Sequence, residues 1–125
     1  MQFQKKVTKN NYVREYVVVL NGLLDLTPRE IDVLTAFIKL DQIWTPRNPS
    51  EKKNLLSTDS RKIIMKEANM NKSNFQKIAN KLLSIGLLVT SSEGDCVVNE
   101  LMKPIIIKDK IEITFVLDLS NGAVQ

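Results

Sequence analysis

Side chains that can bind phosphates or read base edges are concentrated in one stretch of the chain, residues 72–81. Lysine binds phosphate as a point charge, whereas asparagine, glutamine and serine form hydrogen bonds with base edges and backbone oxygens. We expect Lys77 and Lys81 to meet phosphate or guanine, and Asn80 or Gln76 to read adenine. The predicted nucleic-acid-binding residues are Lys72, Ser73, Asn74, Gln76, Lys77, Asn80 and Lys81.

The positions of the charged residues favour a polyanionic partner more strongly than the net charge does. The formal net charge of +4 over 125 residues is common among ordinary proteins. Between Glu67 and Glu93, however, there is no acidic residue, and three lysines of the predicted site lie there. A second basic zone covers residues 1–14, which contain lysine and arginine and no acid.

The residue types needed for most enzyme sites are missing. The chain has no histidine, and its sequence contains no glycine-rich phosphate loop or nucleophile elbow. A single cysteine, Cys96, excludes an internal disulfide and a cysteine-rich zinc site. We therefore predict no enzymatic activity, no cofactor and no metal. A site built from carboxylates alone is the one catalytic arrangement left open.

The hydropathy pattern predicts a cytoplasmic protein with no membrane partner. Its longest apolar runs, residues 17–20 and 105–107, are far shorter than the roughly 20 residues of a membrane-spanning helix. The N-terminus has charges without the apolar region of a secretory signal behind them. The lone cysteine fits a reducing compartment.

The first predicted helix begins at a clear N-terminal cap. Thr27 can cap the helix, Pro28 occupies its first position and Glu30 completes a capping box. The helix should end between Leu40 and Trp44. Apolar residues at helical spacing predict one buried stripe, made of Ile31, Leu34, Phe37 and Ile38.

The segments around this helix predict strands and a loop. Residues 12–20 are rich in β-branched and aromatic types and end at Asn21-Gly22, which favours a strand followed by a turn. Residues 45–54 contain two prolines and no large apolar side chain, and we expect a flexible loop there. Leu55-Leu56 could form a short strand after it.

Residues 58–86 predict a helix–turn–helix. Ser57 or Thr58 can cap a helix that runs to about Ala68, and Ser73 can cap the next one with Gln76 completing its box. Core-facing residues of the two helices are Ile63, Ile64, Ala68, Phe75, Ile78, Ala79 and Leu82. Asn69 tolerates a positive φ in the turn, Met70 pins it, and Gly86 ends the second helix.

Two hairpins are predicted in residues 87–119. The first has strands at 87–90 and 96–99, and the second has strands at 105–108 and 111–119. In the last strand, apolar residues alternate with polar ones and predict one buried face, made of Ile111, Ile113, Phe115, Leu117 and Leu119.

The run IMKEANMNKSNFQKIANKLLSIGLL, residues 64–88, resembles the core signature of winged-helix DNA-binding domains. The opening LTPREIDVL, residues 26–34, is similar to first helices of bacterial regulators and of plasmid or phage replication initiators. Together these segments cover roughly half of the chain. The resemblance implies that residues 73–84 are a recognition helix and that the following hairpin is the wing.

The chain departs from that family in three places. Asn69 stands where the family prefers glycine, which asparagine can replace at positive φ. Leu83 and Ile85 are apolar where the family usually has charge, and we expect them to pack against the N-terminal strand, a second subunit or a partner protein. The hairpin tip carries Glu93 and Asp95 without lysine or arginine, which opposes phosphate contact.

The sequence as a whole predicts an α+β winged helix with a three-helix core, an N-terminal strand and one or two C-terminal β-hairpins. A basic arm, residues 1–10, should precede a single domain, residues 11–125. The expected function is sequence-specific binding of double-stranded DNA by a transcription regulator or replication-initiator-like protein, phage or plasmid encoded. The alternatives are a winged-helix interaction module, such as a virion, assembly or adaptor component, and RNA binding.

Overall fold

The computed structural model describes residues 2–120, which fold into four α-helices and a small antiparallel sheet. The chain is therefore of the α+β class. The predicted arm begins at Met1 and the predicted domain ends at Gln125, and both of these residues lie outside the described range. The elements in chain order are α1 (Tyr12–Leu24), α2 (Pro28–Ile43), α3 (Thr58–Glu67), α4 (Lys72–Ser84), β1 (Leu88–Thr90), β2 (Cys96–Val98) and a 3-10 helix (Glu100–Met102).

The first element is a helix, so the predicted N-terminal strand at residues 12–20 is wrong. Val13 and Val17 lie one helical turn apart and are buried against the core, and Leu20 and Leu24 continue the same stripe. This packing outweighs the strand propensity of the valines. The predicted turn dipeptide lies inside the helix, where Asn21 accepts from the backbone N–H of Leu26 at 2.7 Å.

Helix α2 begins at its predicted capping box. The Thr27 side chain accepts from the backbone N–H of Glu30, and the Glu30 carboxylate accepts from that of Thr27. The helix ends at Ile43, within the predicted range. All four residues of the predicted stripe are buried. Helix α2 packs against α1, α3, α4 and β2, and is the centre of the fold.

Residues 44–57 connect α2 to α3 without helix or strand, as predicted for 45–54. Leu55-Leu56 forms a turn, not the suggested strand, although the Leu55 N–H donates to the Cys96 carbonyl of β2 at 2.8 Å. Lys53 anchors the connection because its ammonium lies 3.0 Å from the buried carboxylate of Asp41 in α2.

Helix α3, the turn and α4 form the predicted helix–turn–helix, with two differences. Ser57 caps α3, and Asn69 has the predicted positive φ, 50°. Ile64 is buried, but Ile63 is exposed, because it lies off the stripe of Ile64 and Ala68. Asn71 is the N-cap of α4, not Ser73, since the Asn71 side chain accepts from the backbone N–H of Asn74.

The core takes residues from all four helices and from the sheet. Phe75, Ala79 and Leu82 of α4 are buried, Ile78 is partly buried, and the Phe75 ring stacks on Phe37 of α2 with centroids 5.9 Å apart. Gly86 ends this region with a φ of 84°, as expected for a left-handed residue after a helix.

The first predicted hairpin is confirmed: β1 and β2 pair antiparallel with Leu88 opposite Val98. The second is reduced to an isolated bridge between Ile107 and Lys110, and the predicted strand at 111–119 is absent from the described structure. Its predicted apolar face is not buried, since Ile111 and Ile113 are half-exposed and the rest are exposed. No strand among residues 2–120 pairs with residues 111–119, so their alternating apolar face has no described partner to pack against.

Candidate nucleic-acid interface

The predicted site residues fall on the side of α4 that faces away from the core. Gln76 and Lys81 border this face and are half-buried. The other five are exposed: Lys72, Ser73, Asn74, Lys77 and Asn80. The structure therefore brings all seven together on one helix of 13 residues.

The N-terminal end of α4 is electropositive. Asn71 satisfies one backbone N–H of the first turn, and that turn carries Lys72 and no acidic residue. Unpaired N–H groups and the helix dipole give a helix N-terminus a partial positive charge. The side chains of Ser73 and Asn74 project from the same turn and form no hydrogen bond within residues 2–120, so both are available to an external partner.

Lys77 lies one turn further along the same face. Its ammonium is exposed and forms no ion pair or hydrogen bond with any residue in the described part of the chain. A free lysine ammonium on a convex helix can approach a phosphate without first leaving a carboxylate. Lys77 is thus the strongest candidate on this face for a phosphate contact.

Gln76 and Asn80 form a hydrogen-bonded chain with an arginine from α3. The Arg61 guanidinium donates to the Gln76 side-chain oxygen at 3.2 Å, and the Gln76 amide donates to the Asn80 side-chain oxygen at 2.9 Å. Arg61 is itself held by the Leu56 carbonyl at 2.7 Å. These two hydrogen bonds orient both side-chain amides. They leave the Asn80 NH₂ group as a donor on the exposed side of α4.

Lys81 is held against α2 by an ion pair. Its ammonium lies 2.8 Å from the Glu30 carboxylate, which is also the capping side chain of that helix. Burial raises the pKa of Glu30, but hydrogen bonds from Lys81 and from the Thr27 backbone lower it by more, so the pKa lies below its ordinary value. The pair joins α4 to α2 and makes Lys81 less available to a phosphate than Lys77.

The acidic tip of the β1–β2 hairpin has a basic neighbour. Glu93 pairs with Lys52 from the connection between α2 and α3. A shallow groove of about 310 Å³ lies between this connection and the hairpin. The ion pair offsets one of the two acidic charges at the tip, and Asp95 remains as the other.

No family model, curated protein or solved structure matches the chain. Assigning a function therefore depends on the residues of α4 and their surroundings. Within residues 2–120, no helix is long and apolar enough to cross a membrane. The same residues contain no group of three or more histidine, cysteine, aspartate or glutamate side chains that could hold a metal ion.

The one thiol and the other charged groove of the described residues lie apart from the exposed face of α4. Cys96 is buried, and burial raises the pKa of its thiol to about 11, so at neutral pH it stays protonated and unreactive. A groove of about 400 Å³ between α1, α2 and α3 contains charged side chains that pair with one another, Arg14 with Asp32 and Lys39 with Glu67.

Three contacts in this region were not predicted from the sequence. Arg61 donates a hydrogen bond to Gln76, Glu30 forms an ion pair with Lys81, and Lys52 forms an ion pair with Glu93 at the hairpin tip. Lys81 and Glu30 are separated by 51 residues, and Lys52 and Glu93 by 41. Only the tertiary fold brings such pairs together. The contact between Arg61 and Gln76 could not be predicted from their spacing in the sequence either, because the two residues lie on different helices.

Proposed function

We propose that the chain is a winged-helix module that binds double-stranded DNA in a sequence-specific manner. In this proposal α4 enters the major groove and the β1–β2 hairpin is the wing. One observation carries it: α4 presents exposed Lys72, Ser73, Asn74 and Lys77 without partners among residues 2–120. The positive φ of Asn69 before this helix and Gly86 after it also support the proposal.

The residues of α4 divide into two groups by the contacts that they can make. Lys72 and Lys77 have free ammonium groups suited to phosphates, which position a protein on the duplex. Asn74 and Asn80 have amides suited to base edges, and adenine is the base that an amide pairs with best. Lys81, held by Glu30, fixes α4 on the body of the protein and is a positioning residue in this proposal.

In this proposal the wing contacts the DNA through its backbone, and the charge of Glu93 at its tip is offset by Lys52. The Lys52–Glu93 pair reduces the repulsion between the hairpin tip and a phosphate backbone. A role as a transcription regulator or replication-initiator-like protein, phage or plasmid encoded, follows from the family resemblance and belongs to the same proposal. Action in the cytoplasm, expected from the hydropathy pattern and the lone cysteine, is also part of it. We propose no catalytic role and no cofactor.

The test is a binding titration by fluorescence anisotropy with a pool of random duplex DNA at low salt. We expect binding whose affinity falls as salt rises, because bound lysines release counterions from the duplex. Lys77→Ala should weaken binding to every duplex and reduce the slope of log affinity against log salt by about 1. Asn80→Ala should instead relax the base preference of the oligonucleotides selected from the pool.

Lys110→Ala is the matched control, because it removes the same charge from an exposed position outside α4. It should leave both affinity and salt slope unchanged. Absence of binding to pooled DNA at low salt would contradict the proposal. Equal losses in the Lys77 and Lys110 variants would also contradict it, since they would indicate an unspecific response to net charge.

A second candidate is an interaction module that uses the fold without reading DNA, such as a virion, assembly or adaptor component. Ile85, at the end of α4, is exposed and apolar, which favours a protein partner there. Leu83 packs against the chain's own core instead. RNA binding is the third candidate function. Titrations with duplex DNA, duplex RNA and single-stranded RNA distinguish DNA binding from RNA binding. Absence of binding to all three would favour the interaction module.

A further inference from the structure

The outward face of α1 is apolar and has no partner within residues 2–120. Val18, Val19 and Leu23 are exposed by 38%, 43% and 70%. Residues 16–24 carry no charge, and Asn21, their one amide, is occupied by the backbone of Leu26. Open space surrounds the position of a side chain at Gly22, so another segment can approach this helix closely.

A second apolar surface is the C-terminal segment, residues 105–119. Leu117 is exposed by 89% and Leu119 by 72%, although apolar and polar residues alternate as in a strand buried on one face. Lys108 and Asp109 have φ values of 51° and 62°, which close a tight two-residue hairpin turn. The segment thus has a hairpin turn and a strand-like pattern, but nothing in the described chain covers its apolar side.

The charges around these two surfaces are complementary. Residues 111–120 carry Glu112 and Asp118 and no basic residue. Residues 2–11, which lead into α1, carry Lys5, Lys6 and Lys9 and no acid. Lys5 pairs with Glu15 in the first turn of α1, so within residues 2–120 Lys6 and Lys9 are the unpaired charges of this arm. An acidic apolar segment therefore matches an apolar helix whose N-terminal approach is basic.

The same charges disfavour pairing of the C-terminal segment with its own copy. In an antiparallel pair centred on Phe115, Glu112 of one chain would lie opposite Asp118 of the other. Like charges directly opposite each other destabilise a strand pair. Helix α1 of a second copy offers the opposite charge and an apolar face together, and each copy carries one surface of each kind.

We propose that two copies of this chain form a reciprocal dimer, in which residues 111–119 of each copy pack on the outward face of α1 and on the basic arm of the other. Such an exchange is closed by a twofold axis, so it stops at two chains. Both apolar surfaces become buried, and the acidic segment lies beside Lys6 and Lys9. The dimer does not depend on DNA binding by α4.

Sedimentation equilibrium over a wide range of concentration tests the dimer. The unaltered chain should reach twice its monomer mass. Loss of the dimer is expected for an α1 variant, Val18→Glu with Leu23→Glu, and for a C-terminal variant, Phe115→Glu with Leu117→Glu. The matched control is Leu101→Glu, which adds a charge at a position exposed by 88% outside both surfaces and should leave the dimer intact.

Mixing the two variants identifies which surfaces meet. The α1 variant retains an intact C-terminal segment and the C-terminal variant retains an intact α1, so an equal mixture restores one of the two contacts. Its average mass should exceed that of either variant alone. An α1 variant that remains fully dimeric would overturn the proposal, because it would mean that the C-terminal segments pair with each other or that another surface is used.

Hydrogen exchange on the unaltered chain is the second measurement, which needs no substitution. Amides of residues 111–119 should exchange slowly at concentrations where the dimer forms and quickly on dilution. A monomer at every concentration would overturn the proposal. Protection of these amides that does not change on dilution would also overturn it, since it would mean that the segment folds onto its own chain.

Discussion

Two regions of this chain contain similar apolar residues, which are buried in one region and exposed in the other. Residues 26–102 bury Leu34, Phe37, Phe75 and Leu82 between helices and hairpin. Residues 103–120, in contrast, contain no fully buried side chain, although isoleucine and leucine recur along them and Phe115 lies among them. The difference shows that apolar content does not determine burial. A side chain is buried only where the fold supplies a second surface at the right distance.

The largest expected effect tests this contrast with one substitution in each region. Leu82→Ala should lower the free energy of unfolding by about 3–4 kcal/mol, because it removes methyl groups from a fully buried position and leaves a cavity. Leu117→Ala should change it by less than about 0.5 kcal/mol, because that side chain contacts little. Urea unfolding followed by circular dichroism, at concentrations where the chain is monomeric, measures both. Equal losses would mean that the C-terminal segment is part of the core.

The same contrast explains how much of the fold could be predicted from the sequence. The cap at Thr27, the positive φ at Asn69 and the helix end at Gly86 depend on residues within one or two turns, and all three predictions are confirmed. Residues 12–20 and 111–119 have strand-like composition, yet one region is a helix and the other is unpaired. Their conformation depends on whether a distant part of the chain packs against them, and a local sequence pattern does not contain that information.

The candidate site shows the same limit at the level of side chains. Periodicity was sufficient to place Lys77 and Asn80 on the outward face of α4, because helix geometry alone fixes that direction. It could not distinguish Lys77, which has no partner in the described chain, from Lys81, whose carboxylate partner belongs to another helix. Ion pairs between elements are set by the packing of those elements.

The Lys81–Glu30 pair provides an effect of intermediate size within the packed region. Lys81→Met should lower the free energy of unfolding by about 1–2 kcal/mol at neutral pH, since it leaves a mostly buried carboxylate without its cation. Lys77→Met removes the same charge from the same helix at an exposed position and should change it by less than about 0.5 kcal/mol. Urea unfolding of the three proteins in parallel gives the difference.

The pH dependence of that difference has a definite sign. Burial raises the pKa of Glu30, but the hydrogen bonds from Lys81 and Thr27 lower it by more, to below its ordinary value of 4.5. The unfolded chain therefore takes up this proton first as the pH falls. The stabilisation is complete well above pH 4.5 and is lost as the pH falls through the folded-state pKa. Unfolding curves of wild type and Lys81→Met should accordingly converge in acid. A gap that widened in acid would contradict this account.

The smallest effect concerns the start of α4, where the structure and the sequence pattern choose different caps. Asn71→Ala should lower the free energy of unfolding by about 1 kcal/mol, because the Asn71 side chain accepts from the backbone N–H of Asn74. Ser73→Ala should cost less than about 0.5 kcal/mol, since Ser73 lies inside the helix with an exposed hydroxyl. Thermal and urea unfolding of both variants measure the two losses. The reverse order would mean that α4 begins two residues later, and Lys72 would then lie outside the helix that presents Lys77.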